Sequence, residues 1–509
     1  MPPRTVRLHG MCLTGAQAAI ITVEARFQPA DRTRTEVQLT GLPDSVLRES
    51  RSRLVASLEA HGLRIPTGRL FLHLAPAGLR KGGEALDLPL ALGAAAAVGH
   101  FDERGLRNAL FLGELGIDGT LREVPGGLAA AEACARAKLG PLVAPPETAR
   151  EAALQGEVPA LAAANLEQVI RWCVTGDGLE LAETPRQDVA GEDWKGLLDR
   201  IRGQSTAKRA LSVAAAGGHG ILLSGPPGTG KSLLARGLLA LLATPSARER
   251  LAITRIRSAM GLRPTGLATR RPFRAPHHST SLAGLVGGGQ PLMPGEITLA
   301  HGGILFLDEL PEFRREALEA LRQPLETGNV LIARAGRRIE FPAEFHLVAA
   351  MNPCPCGYRG HPRRPCRCSE REVHRYRQRI SGPLLDRIDL RIEVPTPSFD
   401  SLAAERPTET EASLRKAVSR ADERASRRQG PKRNAELDST ELDRHVPLSG
   451  RARALVESAA DRQALSARAI QSLRRVARTL ADLAGDERVT ERHFAEALAF
   501  RAPLDQTVP

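Results

Sequence analysis

Hydrophobic and polar positions divide the chain into three parts with different periodicities. Residues 1–175 alternate strand-like runs, such as Ile20–Ala25, with helical runs, such as Ser45–His61, which predicts a mixed α/β domain. Between residues 190 and 395, short apolar strands each precede a helix, which predicts an α/β domain with a parallel sheet. From 403 to 509 the apolar residues recur at helical spacing and glycine is scarce, so the third part is predicted to be helical.

The overall composition is that of a globular protein with an excess of positive charge. The 509 residues are 42% hydrophobic and 25% charged, which argues against wholesale disorder. The longest largely apolar run, Leu86–Val98, is shorter than the ~20 residues of a membrane helix, and no signal peptide is evident, so we expect a cytoplasmic protein. The formal net charge of +13 favours a polyanionic partner such as nucleic acid, although an arginine-rich proteome would give the same excess.

A phosphate-binding motif lies near the start of the central part. The sequence fits G-x-x-x-x-G-K-[ST] between an apolar strand, Ile221–Leu223, and a predicted helix, Leu233–Leu242. Glycines allow the backbone to wrap around phosphates, so that N–H groups and the start of the helix face the negative charge. Lys231 can then reach the outer phosphates, and Ser232 can bind magnesium. The motif residues, all predicted to contact ATP, are Gly225, Pro226, Pro227, Gly228, Thr229, Gly230, Lys231 and Ser232.

A second motif supplies the carboxylates that ATP hydrolysis needs. The apolar run Ile304–Leu307 ends in Asp308, a predicted magnesium ligand, and Glu309, which can polarise the attacking water. A further apolar strand, Phe345–Ala350, ends near Asn352, whose side chain could orient that water. A turn formed by the Asn-Pro pair is the simpler interpretation of Asn352. Together the two motifs predict an ATPase that uses ATP and Mg²⁺.

Four of the seven cysteines are clustered in a short insertion at 354–368. They form two C-x-C pairs, which together offer four soft ligands for tetrahedral zinc. The more usual spacing is C-x-x-C, and four structurally idle thiols are the alternative. His361 is a substitute ligand if one cysteine is not used. The predicted zinc ligands are Cys354, Cys356, Cys366 and Cys368.

The segment around these cysteines is strongly basic. From Arg359 to Arg379 it carries eight arginines against two glutamates, and the chain's two tyrosines, Tyr358 and Tyr376, bracket most of it. Because arginines bind phosphates and tyrosines can stack on bases, the segment is a predicted nucleic-acid contact that includes Arg363 and Arg364. Some of the arginines could instead neutralise the thiolates or line subunit contacts.

Four strings stand out along the chain: RGQSTAKRAL (202–211), APHHS (275–279), GEITLAHGGILFLDEL (295–310) and SGPLLDRIDL (381–390). They are similar to strings of magnesium-chelatase-like AAA+ ATPases and, within that branch, of the YifB/ComM family. The resemblance covers nearly the whole chain. It implies a homo-oligomeric ring, a hexamer, with each ATP held at a subunit boundary.

The resemblance also implies roles for two arginines outside the phosphate-binding and carboxylate motifs. Arg387 matches the finger that a neighbouring subunit contributes to the ATP site, with Arg379 in reserve; a surface ion pair with an adjacent aspartate is the alternative. Arg468 follows Ser466 and Ala467 at the start of a C-terminal helix and matches the second sensor of ATP. It would touch the γ-phosphate and move the helical lid domain, and a plain helix-surface arginine is the alternative.

A predicted hairpin precedes the strand that ends near Asn352. Residues 329–341 form two strand-like runs around a glycine turn, with Arg334, Arg337 and Arg338 near the tip. In helicases of this AAA+ branch a hairpin at the matching place points into the pore of the ring. The resemblance therefore implies that the three arginines contact DNA phosphates, and a solvated charged turn is the alternative.

The first part of the chain resembles the Lon-protease-like domain that begins the same family. The resemblance lies in GGEALDLPLALG (82–93) and GELGIDGTLREVPG (113–126). In Lon proteases the segment that corresponds to 82–87 presents a nucleophilic serine, whereas GGEALD has no hydroxyl group. We therefore expect a structural or ring-stabilising role for this domain.

These features leave three functions to compare. The first is a DNA helicase that promotes branch migration in homologous recombination or natural transformation, as the family resemblance and the basic segment indicate. The second is a chelatase-type ATPase that drives metal insertion or remodels a partner without DNA. The third, an ATP-dependent protease, is weakened by the absent serine.

Overall fold

The computed structural model forms two compact units. One comprises Met1–Ala190 with Ser246–Thr269, and the other comprises Gly191–Pro245 with Arg270–Pro509. Within the parts that the structure describes, no helix combines the length and the apolar character needed to cross a membrane. The described residues are 5–30, 35–41, 44–76, 84–106, 108–184, 194–262, 264–289, 292–334, 337–397 and 409–501.

The first unit is built on a mixed sheet of eight strands. The strands of this unit are β1 (Thr5–Thr14), β2 (Gln17–Pro29), β3 (Glu36–Thr40), β4 (Gly68–Ala75), β5 (Leu110–Phe111), β6 (Glu114–Leu115), β7 (Leu121–Arg122), β8 (Leu142–Ala144), β9 (Ala160–Ala162) and β10 (Glu180–Leu181). The order across the sheet is β10-β9-β8-β5-β1-β2-β4-β3, and β6 and β7 form a separate pair. Strand β2 contains the predicted strand Ile20–Ala25, so the α/β prediction for this part is confirmed.

Helices cover the sheet of the first unit. They are Asp44–Ala60, Asp87–Ala97, Gly127–Arg136, Pro146–Ala153, Leu166–Thr175 and Ala247–Ala259. The last of these lies, in sequence, between two strands of the second unit, yet it packs here. Arg255 Nη1 donates to Glu132 Oε2 at 2.6 Å, and Ser258 Oγ donates to the buried carboxylate of Glu151.

The second unit contains the predicted parallel sheet. Its strands are β11 (Ile221–Ser224), β12 (Phe273–Arg274), β13 (Gly287–Gly288), β14 (Met293–Pro294), β15 (Ile304–Leu307), β16 (Asn329–Arg334), β17 (Arg337–Pro342), β18 (His346–Met351) and β19 (Leu390–Glu393). Five strands pair in the order β12-β15-β18-β11-β19, all parallel. Every residue of β15 and β18 is buried, because both faces of such a sheet are covered.

Helices flank this sheet and make up the C-terminal part of the unit. Leu473, Val476 and Leu480, on one face of Ala467–Ala484, join Phe494 and the sheet residue Leu390 in one core. The helical prediction for the C-terminal part is confirmed. The helices of the unit are Leu197–Arg200, Ser205–Gly217, Lys231–Leu241, Leu282–Val286, Glu296–Leu299, Arg315–Ala320, Pro324–Thr327, Glu370–Arg377, Gly382–Leu385, Glu411–Gln429, Ser439–His445, Gly450–Gln463, Ala467–Ala484 and Glu491–Ala499.

Candidate nucleotide site and metal centre

Three polar segments meet at the carboxyl edge of the parallel sheet. Strands β11, β18 and β15 are adjacent, with Ser224 opposite Met351 and Leu307 opposite Ala349. The phosphate loop follows β11, the two carboxylates follow β15, and Asn352 follows β18. Ligands of open parallel sheets bind outside this edge. The fold thus brings together motif residues that are distant in the chain.

The phosphate loop, Gly225–Ser232, turns between β11 and the helix that follows. Gly228 and Gly230 have φ values of +80° and +89°, in the left-handed region that glycine adopts without strain. Thr229 Oγ1 donates to the Pro226 carbonyl at 3.1 Å, which fixes the loop from within. The first turn of the helix presents N–H groups that have no intrahelical partner, so the loop is suited to bind phosphate.

Lys231 is buried and directs its ammonium group back at the loop. Its Nζ donates to the carbonyl oxygens of Gly225 at 2.6 Å and Pro226 at 2.9 Å, and to Asn352 Oδ1 at 3.2 Å. Burial lowers the pKa of Lys231, while the two carboxylates after β15 act in the opposite direction. The three oxygens that hold this cation are neutral, so phosphate oxygens would bind it more strongly.

Ser232 and Asp308 form the part of the site that fits magnesium. Ser232 Oγ donates to Asp308 Oδ2 at 3.0 Å, and the backbone N–H of Glu309 donates to Asp308 Oδ1 at 2.9 Å. A hydroxyl and a carboxylate are hard oxygen ligands of the kind that Mg²⁺ takes alongside substrate phosphates and waters. The residues present therefore suit a magnesium nucleotide.

Glu309 combines an unusual backbone conformation with a histidine partner. Its φ is +53°, a value that few residues with a side chain adopt, and such positions concentrate at functional sites. His278 Nδ1 lies 3.2 Å from Glu309 Oε2, and the glutamate side chain is half exposed. No predicted role falls on His278, for which the sequence offers one signal, its place in the string APHHS.

Arg387 and Arg468 converge on one carboxylate. Arg387 Nη2 donates to Glu326 Oε1 at 2.6 Å, and Arg468 Nη2 donates to the same oxygen. The reserve arginine, Arg379, donates instead to Glu312 Oε2 at 2.6 Å. The structure thus pairs the two arginines that the resemblance singles out, through a glutamate that sequence reasoning missed because no local motif marks it.

The four clustered cysteines converge on one point. The Sγ atoms of Cys354, Cys356 and Cys366 are 3.4 to 3.6 Å apart, and the four sulfurs, including that of Cys368, lie within 4.8 Å of one another. Thiolates bound to zinc at about 2.3 Å in a tetrahedron would be about 3.8 Å apart, so the cluster has the size of such a site. His361 is not in the cluster, and its Nδ1 accepts two backbone hydrogen bonds.

The cysteine cluster adjoins the phosphate loop. Cys354 is two residues beyond Asn352, and a Cβ atom added to Gly357, which has a φ of +83°, would lie 3.0 Å from Pro227 of the loop. Burial acts to raise the pKa of Cys356, but backbone N–H groups that donate to its sulfur lower this pKa to about 6. One thiolate is therefore available to a metal at neutral pH.

Most arginines of the basic segment are exposed, but one of its tyrosines is not. Tyr376 is buried in the core, and burial raises its pKa to about 12. It cannot stack on a base, which corrects the expectation for this residue. Tyr358 lies beneath Arg364, with 5.3 Å between the guanidinium carbon and the ring centroid. The exposed arginines are Arg363, Arg364, Arg367, Arg371, Arg375 and Arg379.

Strands β16 and β17 form the predicted hairpin. Their register runs from Asn329 opposite Pro342 to Arg334 opposite Arg337. Arg338 is exposed, whereas the side chains of Arg334 and Arg337 lie outside the described residues.

In the first unit, residues 82–87 end at a buried ion pair. Arg53 Nε donates to Asp87 Oδ2 at 2.9 Å. Burial raises the pKa of Asp87 to about 6 against the effect of Arg53. Gly82 and Gly83 of the same segment lie outside the described residues. The pair lies at the first turn of the helix Asp87–Ala97, where a carboxylate is favoured.

Three family models match successive parts of the chain. Subunit ChlI of Mg-chelatase matches residues 23–148, and magnesium chelatase, subunit ChlI, matches residues 197–402. The model for the C-terminal part of subunit ChlI matches residues 408–501. The central match contains the phosphate loop, both carboxylates, Asn352 and the cysteine cluster.

Full-length relatives extend these matches. Competence protein ComM of Haemophilus influenzae is 41% identical over 495 residues, which cover 96% of both chains. YifB of Salmonella typhimurium, an uncharacterized protein, is 39% identical over 97% of this chain and 96% of its own. The magnesium-chelatase 38 kDa subunit of Acidiphilium rubrum is 28% identical over 39% of this chain and 58% of its own. With this fold and these relatives, the chain belongs to the YifB/ComM family of magnesium-chelatase-like AAA+ proteins.

Proposed function

We propose that this protein is an ATP-driven ring motor that acts on DNA in the cytoplasm, a helicase that promotes branch migration in homologous recombination or natural transformation. The observation that carries the proposal is the set of six exposed arginines in the basic segment Arg359–Arg379, which overlaps the cysteine cluster that adjoins the phosphate loop. Such side chains bind backbone phosphates without regard to sequence. The similarity to competence protein ComM supports a role in natural transformation.

The nucleotide chemistry divides among residues at the carboxyl edge of the sheet. The phosphate loop binds ATP, with Lys231 on the outer phosphates, while Ser232 and Asp308 hold Mg²⁺, whose charge offsets that of the phosphates. Glu309 accepts the proton of the attacking water, and Asn352 orients that water. His278, whose Nδ1 lies 3.2 Å from Glu309 Oε2, helps to orient this carboxylate.

The motor acts as a homo-oligomer, a hexameric ring. In this ring Arg387 serves as the finger that stabilises transition-state charge at a neighbour's ATP, and Arg468 serves as the second sensor. The chain divides into a Lon-protease-like domain at 1–175, an AAA+ core at 190–395 and a helical lid at 403–509.

The cysteine cluster holds one zinc ion as a structural site. Four protein sulfurs leave no open coordination position, so the ion shapes the basic segment and takes no part in catalysis. The proposal rests on the separation of the sulfurs, which matches a tetrahedron of thiolates.

The salt dependence of DNA affinity tests the proposed phosphate contacts directly. Each lost phosphate contact should lower the slope of log affinity against log salt by roughly one. Binding of a fluorescent branched DNA is therefore measured from low to moderate salt for three proteins. These are the intact protein, the double variant Arg363→Ala with Arg364→Ala, and the single variant Arg338→Ala. A matched control is Arg7→Ala, an exposed arginine of the first unit. Unchanged salt slopes in both sets of variants would reject these contacts, and no binding at low salt would reject the function.

The second candidate is a chelatase-type ATPase that remodels a partner or drives metal insertion without DNA. The observation that favours it is the match of three magnesium-chelatase models along the chain. If single-stranded, duplex and branched DNA all leave the rate of ATP turnover unchanged, this candidate is favoured over the DNA motor.

A further inference from the structure

One carboxylate holds two guanidinium groups in the second unit. Glu326 Oε1 accepts a hydrogen bond from Arg387 and another from Arg468. Arg387 Nη1 also donates to the carbonyl of Pro383 at 2.6 Å, and its side chain is only 8% exposed. A guanidinium sequestered in this way is not free to reach a phosphate on a neighbouring subunit.

The segments that carry the two arginines are joined by hydrogen bonds into one frame. Next to Arg387 in the chain, Asp386 accepts a hydrogen bond from Ser466 at 2.9 Å, and Asp389 accepts one from Ser472 at 2.5 Å. Both serines belong to the helix that carries Arg468 or to its N-cap. The segment with Arg387 is therefore fastened at two points to the element with Arg468, and the two side chains should move together.

Glu326 lies on a different element, one that leads into the arginine-bearing hairpin. It belongs to the helix Pro324–Thr327, and strand β16 begins after a single glycine, Gly328. The backbone N–H of Ala343, just past the hairpin's second strand, donates to the Gly328 carbonyl at 2.7 Å. This junction therefore links the base of the hairpin to Glu326, which lies two residues before the glycine.

We propose that Glu326 is a latch that withholds Arg387 and Arg468 from catalysis until DNA engages the hairpin. This inference rests on the proposed function, since it names how DNA regulates the ATP site. A load on the hairpin draws Glu326 away from the frame that carries both arginines. The carboxylate is a positioning residue: it touches neither ATP nor DNA, and it acts through the arginines it holds.

The latch predicts a gain of activity when it is removed. Glu326→Gln keeps the side-chain shape but removes the charge, so the equilibrium shifts towards free arginines. The Glu326 side chain is 42% exposed, so solvent weakens its ion pairs with the two arginines. Loss of these pairs should therefore shift the equilibrium only modestly, and we expect DNA-free kcat to rise about fivefold. The effect should fall mainly on kcat rather than on the KM for ATP, because Arg387 acts in the transition state and only Arg468 contacts bound ATP. The ratio of DNA-stimulated to DNA-free turnover should fall by a factor similar to the rise in kcat.

Steady-state ATP turnover without and with branched DNA tests the latch. The matched control is Glu316→Gln, which removes an exposed carboxylate from the helix Arg315–Ala320 and should leave DNA-free kcat unchanged. Adding Arg387→Ala to Glu326→Gln should cancel the gain, since the freed arginine produces it. A DNA-free kcat that is unchanged or lower in Glu326→Gln, at wild-type thermal stability, would overturn the latch.

A conservative variant covers the case in which Glu326→Gln destabilises the protein. Glu326→Asp keeps the charge but shortens the reach to both arginines, so a smaller rise in DNA-free kcat supports the latch and no rise overturns it. The DNA-free rates are informative even if wild-type turnover ignores DNA. In that case the motor function fails, while the effect of Glu326 on Arg387 is still decided.

Discussion

Replacing Cys366 and Cys368 together with serine should empty the proposed zinc site. The sulfur separations of 3.4 to 3.6 Å are close to the ~3.8 Å edge of a zinc tetrathiolate, so the intact cluster needs little rearrangement to bind the ion. Structural zinc sites of this type bind with apparent free energies of roughly 10–16 kcal/mol at neutral pH. Zinc should therefore survive gel filtration at about one ion per chain, and the double variant should fall to near zero.

Two consequences can be measured on the same samples. Because Cys354 is two residues from Asn352 and Gly357 lies close to Pro227, loss of the metal should also slow ATP turnover several-fold. Burial raises the pKa values of Cys354 and Cys368, so protons compete with zinc for these thiolates already at neutral pH, and zinc affinity should fall steadily as the pH drops. The fall should become steeper below about pH 6, where Cys356 is protonated as well.

The assay is metal analysis of protein purified without a histidine tag, with thermal unfolding as a check on folding. Cys173→Ala is the control, since this buried cysteine of the first unit lies outside the cluster and its loss should not change the zinc content. Zinc near zero in the wild type, or zinc unchanged in the double serine variant, would refute the site.

Two further predictions concern the ATP site. Lys231→Ala should abolish ATP binding, whereas Glu309→Gln should bind ATP and fail to hydrolyse it, because the lysine meets phosphate charge and the glutamate acts on water. Fluorescent-nucleotide binding and phosphate release separate these effects, and turnover by Glu309→Gln would contradict the assignment. Arg387→Ala should bind ATP normally and lose turnover, since a finger acts in the transition state. Mixing it with Glu309→Gln should restore partial turnover, because some interfaces then combine an intact glutamate with an intact arginine; no recovery would confine the effect to one subunit.

The sequence predicts the nucleotide site well because its parts are contiguous motifs at the ends of apolar strands. Parallel strands carry such motifs to one edge, so Lys231, Asp308 and Asn352 could be grouped before any coordinates were known. The convergence of the four cysteines follows from equally local spacing. The proposed roles of these residues remain predictions, whereas their proximity is observed.

Contacts between residues that are distant in the chain could not be predicted from the sequence. His278 meets Glu309, and Glu326 meets both Arg387 and Arg468, across intervals with no fixed spacing. A helical pattern also does not say which unit a helix joins, so the packing of Ala247–Ala259 in the first unit was not foreseen.

The burial of Tyr376 was also not predicted from the sequence. Tyr376 lies in a basic stretch, which suggested an exposed base-stacking residue. Yet Tyr376 is buried, as is Val373, which lies three residues earlier in the same helix, Glu370–Arg377. The spacing of three residues between Val373 and Tyr376 fits one helix face, and this periodicity was the available signal.

Branch migration of a labelled three-stranded or four-way DNA tests the central claim most directly. The wild-type protein with ATP and Mg²⁺ should convert the branched substrate to products, and its ATP turnover should rise when branched DNA is added. Glu309→Gln should bind the same DNA without converting it, because hydrolysis supplies the movement. Conversion by wild type that depends on Glu309 is the predicted result. DNA that neither stimulates ATP turnover nor undergoes ATP-dependent conversion would contradict the motor function.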